Sequence, residues 1–266
     1  MTRHSSRHLD HGGRARGAAA CAAPIRLAAL LLLVSAAVPV VALTPEQIIA
    51  RMEENQVHDS ARSRGSISIS DRFGTRVKTF RAVSRGEERM LLEFTNPEEA
   101  GQKILRVDDE IYLYFPEAEQ IIHLQGSALK DSVMGSDFSY EDMTGGKSLL
   151  DDYSVELAGR EQVDGHECYR LGLTALRRDV VYPGQTIWVD TGLFVYRRVL
   201  LYSVKGRELK EMRIREFERI GEKTVPVLLE MQDRMKKESK TVFRVEKIEI
   251  GVHLDPGLFT LENLSW

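Results

Sequence analysis

Residues 66–70 read SISIS, and side chains that alternate in polarity with a period of two hold one face to a core only as a β-strand. The same signature returns along the chain. Val77, Thr79, Arg81 and Val83 share one parity, and Met90, Leu92 and Phe94 share another. GQKILRV (101–107), EIYLYF (110–115) and EQIIHL (119–124) follow, separated by Asp-Asp and Pro-Glu turn signals. Such a series reads as consecutive antiparallel strands in a meander.

Before it stands a helix. Thr44 is followed by Pro45, Glu46 and Gln47, the spacing of a capping box with proline in the first turn. Ile48, Ile49 and Met52 then form one apolar face. After the first run of strands the alternation stops: residues 126–150, GSALKDSVMGSDFSYEDMTGGKSLL, read as a long loop with one or two short helices lying over the sheet.

Strands resume at 152–158, 166–174, 185–190 and 193–203, the last two joined by the tight-turn signal Asp190-Thr191-Gly192. Long strands follow near 206–219, 224–234 and 238–250. In the last, Phe243 and Val245 have one parity and Ile248 and Ile250 the other, which predicts a bulge near Glu246–Lys247. The stretch 255–259, DPGLF, reads as a turn that tucks Phe259 under the sheet.

About eleven strands in sequence order, without crossover helices, predict a mainly β chain built on one antiparallel sheet, which at that size must curl, split or close. No repeat of 20–50 residues is present, against a solenoid or propeller. No Pro- or Ser-rich linker interrupts residues 44–266, so 43–266 is expected to be one domain.

The remaining N-terminal stretch has another character. Residues 27–43, LAALLLLVSAAVPVVAL, are uncharged and follow Arg26, with the small residue Ala42 at a cleavage position. This reads as a signal peptide over 1–42 and an exported, periplasmic product; the alternative is an uncleaved membrane anchor. Without the five arginines and one aspartate of 1–42, the 37 basic and 40 acidic residues become 32 and 39, a net charge of −7. That balance argues against nucleic acid as a partner. Cys168 is then the one cysteine left, and reads as a small buried strand residue rather than a nucleophile.

Catalytic motifs are missing. There is no GxSxG, phosphate-binding glycine loop, HExxH or CxxC, and His58, His123, His166 and His253 fall one to a segment. Asp137, Glu141 and Asp142 cluster, but no calcium-loop pattern surrounds them, and Asp137 reads as a helix N-cap. No metal site, cofactor or enzymatic activity is expected. More informative is the apolar set Leu129, Val133, Met134, Phe138, Tyr140 and Met143 inside the irregular stretch. Methionines and aromatics suit a surface that repacks around apolar ligands, or simply plug the open face of a curved sheet.

At FTNPEEAGQKILRVDDEIYLYFPEAEQIIHL (94–124) and MGSDFSYEDM (134–143), the chain resembles the outer-membrane lipoprotein-sorting proteins, LolA/LolB-like periplasmic lipid carriers. The features shared are Pro97-x-x-x-Gly101-x-x-x-Leu105 at a strand entry, the aromatic strand ending in Tyr114-Phe115-Pro116, and the 134–143 loop. The resemblance implies a half-barrel wrapped around helices, with short helices covering its concave face, and an apolar cavity for acyl chains. It further implies transfer of lipid or lipoprotein between the inner and outer membranes, with an inner-membrane transporter and an outer-membrane acceptor as partners, and no catalysis. An interaction or sensor module docking on a membrane transporter is the alternative.

The expected cavity takes Met90, Leu92 and Phe94 from one strand and Trp188 from another, under a lid of Met134, Phe138, Tyr140 and Met143. Between Tyr112/Tyr114 and Ile111/Leu113 the pattern does not choose the inner pair.

Overall fold

In the computed structural model, which describes residues 42–144 and 148–265, the chain opens with helix α1, Pro45–Gln56. Thr44 closes the expected capping box: its hydroxyl accepts from the Gln47 amide at 3.3 Å, and its own amide donates to Gln47 Oε1 at 3.0 Å. The signal segment expected over 1–42 lies, apart from Ala42, outside the described residues.

Two meanders follow. The first comprises β1 (Ala61–Asp71), β2 (Gly74–Arg85), β3 (Arg89–Phe94), β4 (Lys103–Val107), β5 (Glu110–Phe115) and β6 (Gln120–Leu124). A crossover with helices α2 (Tyr140–Thr144) and α3 (Leu149–Asp152) leads to the second. That one comprises β7 (Tyr153–Val163), β8 (His166–Ala175), β9 (Gly184–Asp190), β10 (Tyr196–Tyr202), β11 (Glu208–Ile220), β12 (Lys223–Asp233) and β13 (Lys240–Ile250). All thirteen join one open antiparallel sheet in the order β6-β5-β4-β3-β2-β1-β13-β12-β11-β10-β9-β8-β7. The expected class holds, and the count is thirteen rather than about eleven.

The seam between the meanders is the β1–β13 pair. Arg64 faces Lys247 while Gly65 faces Val245, so Glu246 is the extra residue of a bulge, where the parity change placed it. β1 also begins five residues earlier than SISIS, because both its neighbours hydrogen-bond the polar stretch ARSRG.

Residues directly opposite in neighbouring strands share a face. Leu171, Ile187, Val199, Met212 and Met231 face one another in turn across β8 to β12. Leu229, Phe243 and Ile67 continue the same face into β13 and β1. This inner face carries α1, whose Ile48, Ile49 and Met52 are fully buried against Leu171, Leu173, Ile187 and Val199. It also carries the crossover, whose Val133 packs among Ile67, Phe80, Leu92 and Phe94. Ile111 and Leu113 belong inside, and Tyr112 and Tyr114 outside.

The outer face is covered at β3–β5 by the C-terminal segment, where a 3-10 turn, Pro256–Phe259, and α4, Leu261–Leu264, bury Phe259 and Leu264 against Leu91 and Leu105. Among the described residues no helix is long and apolar enough to cross a membrane.

Candidate functional site

A groove of about 740 Å³ runs over the inner face of the second meander. Its floor is apolar: Val199, Leu201, Met212, Ile214, Leu229 and Met231 project from β10, β11 and β12. Its walls are the C-terminal end of α1 (Glu53, Gln56), the crossover (Leu129, Phe138, Leu149) and the β8–β9 connection (Val180, Val181, Tyr182). Strand alternation makes such a floor: every second residue of three neighbouring strands points into the same space.

Charged groups also line it, among them Glu53, Glu87, Glu141, Asp142 and Asp152 with Arg106 and Arg177. Burial pushes the Glu141 carboxyl above the usual range, against the pull of Arg106 at 3.8 Å. Glu87 is raised by burial and then by its acidic neighbours Glu53, Asp151 and Glu88. Burial pushes the Tyr153 phenol up to about 12; its hydroxyl donates to the Tyr182 carbonyl at 3.0 Å. The groove thus combines an apolar floor with charged groups along its walls.

The crossover is held down by side chains from both meanders. Asp137 is not the expected N-cap. Ser139 caps α2 instead, its hydroxyl accepting from the Asp142 amide at 3.1 Å while Asp142 Oδ2 accepts from the Ser139 amide at 2.8 Å. Asp137, 1% exposed, accepts from the hydroxyls of Ser239 (2.5 Å) and Thr241 (3.0 Å) at the start of β13. A residue two positions before the true cap found a tertiary partner, which local spacing does not encode.

Of the expected ligand residues, Met90, Leu92, Phe94, Met134, Tyr140 and Met143 do come together, but as packing between the first meander and the crossover. They fill that half of the inner face; the open groove lies over the other half. Phe138 belongs to both, lining the groove and facing Phe243 at 6.1 Å between ring centroids. Trp188 does not join them. Ile187 and Val189 take the inner parity of β9, so Trp188 stands outside with Val163, Cys168 and Leu200. There its indole donates to Glu161 Oε2 at 3.1 Å and lies under the Arg198 guanidinium.

The floor residues Val199, Met212 and Leu229 escaped the sequence reading, although the parity of β10 to β12 marks them once register is known. Among the described residues no cluster of His, Cys, Asp and Glu is arranged to hold a metal ion. The Cys168 thiol is buried and pushed up to about 11, chiefly by desolvation, which suits a packing role.

Comparison with known proteins agrees with this architecture. No curated protein matches the chain in sequence. A family model described as uncharacterized protein-like matches residues 86–266. Among solved structures, a DUF1329 family protein from Desulfovibrio piger is 24% identical, with a TM-score of 0.76 over 82% of this chain and 96% of its own. A domain named for outer membrane lipoprotein sorting, from Vibrio parahaemolyticus, is 17% identical, with a TM-score of 0.77 over 84% and 98%. A LolA superfamily protein from Nitrosomonas europaea is 25% identical, with a TM-score of 0.72 over 84% of this chain and all of its own. The chain belongs to the family of the matching model and is itself LolA-like.

Proposed function

We propose that the groove holds the acyl chains of a lipid or lipoprotein and that the protein carries them through the periplasm between the inner and outer membranes, without a catalytic step. The observation behind this reading is the unfilled apolar floor of β10–β12, enclosed by α1 and the crossover in a volume of about 740 Å³. That lies within the range of about 300–1,000 Å³ found for small-ligand sites. Taking an acyl chain out of a bilayer costs about 0.8 kcal/mol per methylene, so a carrier must offer a continuous apolar lining. The row Val199, Met212 and Met231 is such a lining. The charged groups of the walls suit the polar end of an amphiphile whose tails lie on the apolar floor. A transporter in the inner membrane and an acceptor in the outer membrane would be the partners of loading and release.

Native mass spectrometry of the exported protein, isolated without detergent, is expected to find bound lipid. Met212→Trp, which fills the groove from a half-buried position, should lower lipid occupancy while leaving the melting temperature within a few degrees. Absence of lipid from the parent protein, together with no uptake of fluorescent fatty acid, would overturn the proposal.

A further inference from the structure

The two ends of the sheet differ in charge and in what they expose. At the end toward which β1 runs, four hairpin connections stand together in sheet order: β1–β2 (72–73), β12–β13 (234–239), β10–β11 (203–207) and β8–β9 (176–183). They hold eight basic residues and two acidic ones, Asp179 and Glu238. The connections at the opposite end, β2–β3, β4–β5, β7–β8, β9–β10 and β11–β12, hold six acidic residues and no basic one. The remaining connections at the first end, β3–β4 and β5–β6, are acidic and lie on the far flank under the first meander.

Each of the four basic hairpins also shows a large apolar side chain to solvent: Phe73 is 84% exposed, Val204 85%, Leu176 60% and Met235 52%. These are four of the largest exposures among the apolar side chains of the described residues. Scattered exposed apolar residues need no explanation, but one in each of four neighbouring turns, each next to a basic residue, does. Phe73 contacts the Arg72 guanidinium, 4.7 Å above its ring, and Val204 sits beside exposed Lys205 and Arg207. Arg72, Arg178, Lys205, Arg207 and Lys237 are all exposed.

We infer that this rim docks on an anionic phospholipid bilayer, with Phe73, Val204, Met235 and Leu176 entering the interface and the flanking cations resting on the lipid phosphates. The chemistry is that of a peripheral membrane contact: a few apolar wedges for the acyl boundary, and basic groups for a negative surface. An anionic surface attracts this basic rim and repels the acidic opposite end, so the charge asymmetry also favours one direction of approach. The β8–β9 connection belongs both to this rim and to the groove wall, through Val180, Val181 and Tyr182, so docking brings the groove's edge to the membrane. The inference rests on the rim residues alone and stands whether or not the groove carries lipid.

Vesicle co-sedimentation tests it. The exported protein, without residues 1–42, should bind phosphatidylglycerol-containing vesicles, bind pure phosphatidylcholine vesicles far less, and lose affinity as salt rises. Phe73→Ser with Met235→Ser, and separately Lys205→Glu with Lys237→Glu, should each weaken binding about tenfold or more. Glu222→Lys at the opposite end should not weaken it. All these positions are exposed, so unchanged thermal melting is the check on folding. Failure of the parent chain to bind, equal binding to both vesicle types, or variants that bind like the parent would overturn the inference. A rim that recognises a protein instead leaves bare vesicles unbound, which is the first of those outcomes. Lipid content on isolation reports on the groove alone, so it separates failure of the docking rim from failure of the carrier reading.

Discussion

Asp142 on α2 and Lys210 on β11 meet at 2.7 Å with both side chains largely buried, 68 residues apart in sequence. The Tyr182 hydroxyl donates to the same carboxylate oxygen at 3.1 Å. On the other side of α2, Arg106 of β4 donates to the Thr144 hydroxyl at 3.3 Å and lies 3.8 Å from Glu141. One short helix is therefore tied by charge to a strand of each meander, directly over the inner face. Burial raises the Tyr182 phenol far above its ordinary range, with Asp142 adding to the shift, so it stays a neutral donor.

This latch predicts how the cover opens. Asp142→Ala leaves Lys210 buried without its carboxylate and removes half of the Ser139–Asp142 cap, so a loss of about 3 kcal/mol is expected. Hydrogen exchange should quicken first at the amides of 139–144, before the strands of the first meander respond. Unchanged protection across 139–144 would show that the ion pair does not hold the cover.

Glu141 carries a pH dependence of the opposite sign to an ordinary paired carboxylate. Its folded value lies above the unfolded one because burial disfavours the charge. The folded chain therefore binds more protons in that window, and stability falls as pH rises from the ordinary glutamate range through the raised value. Glu141→Gln removes the titration. The variant's melting temperature should gain on the parent's as pH rises through that window, and a difference that stays constant with pH would contradict this assignment.

Much of this architecture was legible beforehand, and the limits have physical causes. Strand identity followed from alternation, the Thr44 capping box from spacing, and the Glu246 bulge from a change of parity, all local properties. Which half of the inner face stays open was not local. Met90, Leu92 and Phe94 have the right parity, but the crossover fills the space above them, while equally apolar positions on β10–β12 line the groove. Trp188 misled for a related reason. On a strand apolar on both faces, bulk does not tell inside from outside, and Ile187 and Val189 hold the inner positions. Asp137 found its partners 102 and 104 residues away, beyond the reach of any spacing rule.

Phe138 is the one expected lid residue that reaches the groove, and it is also 3% exposed. An aspartate there would place a carboxylate in an apolar contact with Phe243, so Phe138→Asp is expected to lose more than about 3 kcal/mol and not to leave the fold intact. Phe138→Leu separates cover from core. It keeps an apolar side chain, should cost less than about 1.5 kcal/mol by urea denaturation, and should weaken lipid retention by opening the groove wall. Full retention in the folded Leu variant would remove Phe138 from the site.

The seam gives the last prediction. Both meanders depend on β1 and β13 lying close, and Gly65 stands at the register change where they meet. A Cβ at Gly65 would come 2.0 Å from the carbonyl oxygen of Arg244 and 2.9 Å from the Phe80 ring. The first contact is with backbone, which cannot swing aside as a side chain can. Gly65→Ala must therefore push β13 away from β1 or twist the bulge at Glu246, and overpacking of this kind costs about 1–3 kcal/mol or more. Because the strain falls on the seam, exchange protection should drop along β1 and β13 while the hairpin of β4 and β5 keeps its protection. The control is Gly172→Ala on β8, a strand glycine whose added Cβ would meet no atom within 4 Å. If the two substitutions lower the urea midpoint equally, the close approach at Gly65 is not what holds the meanders in register.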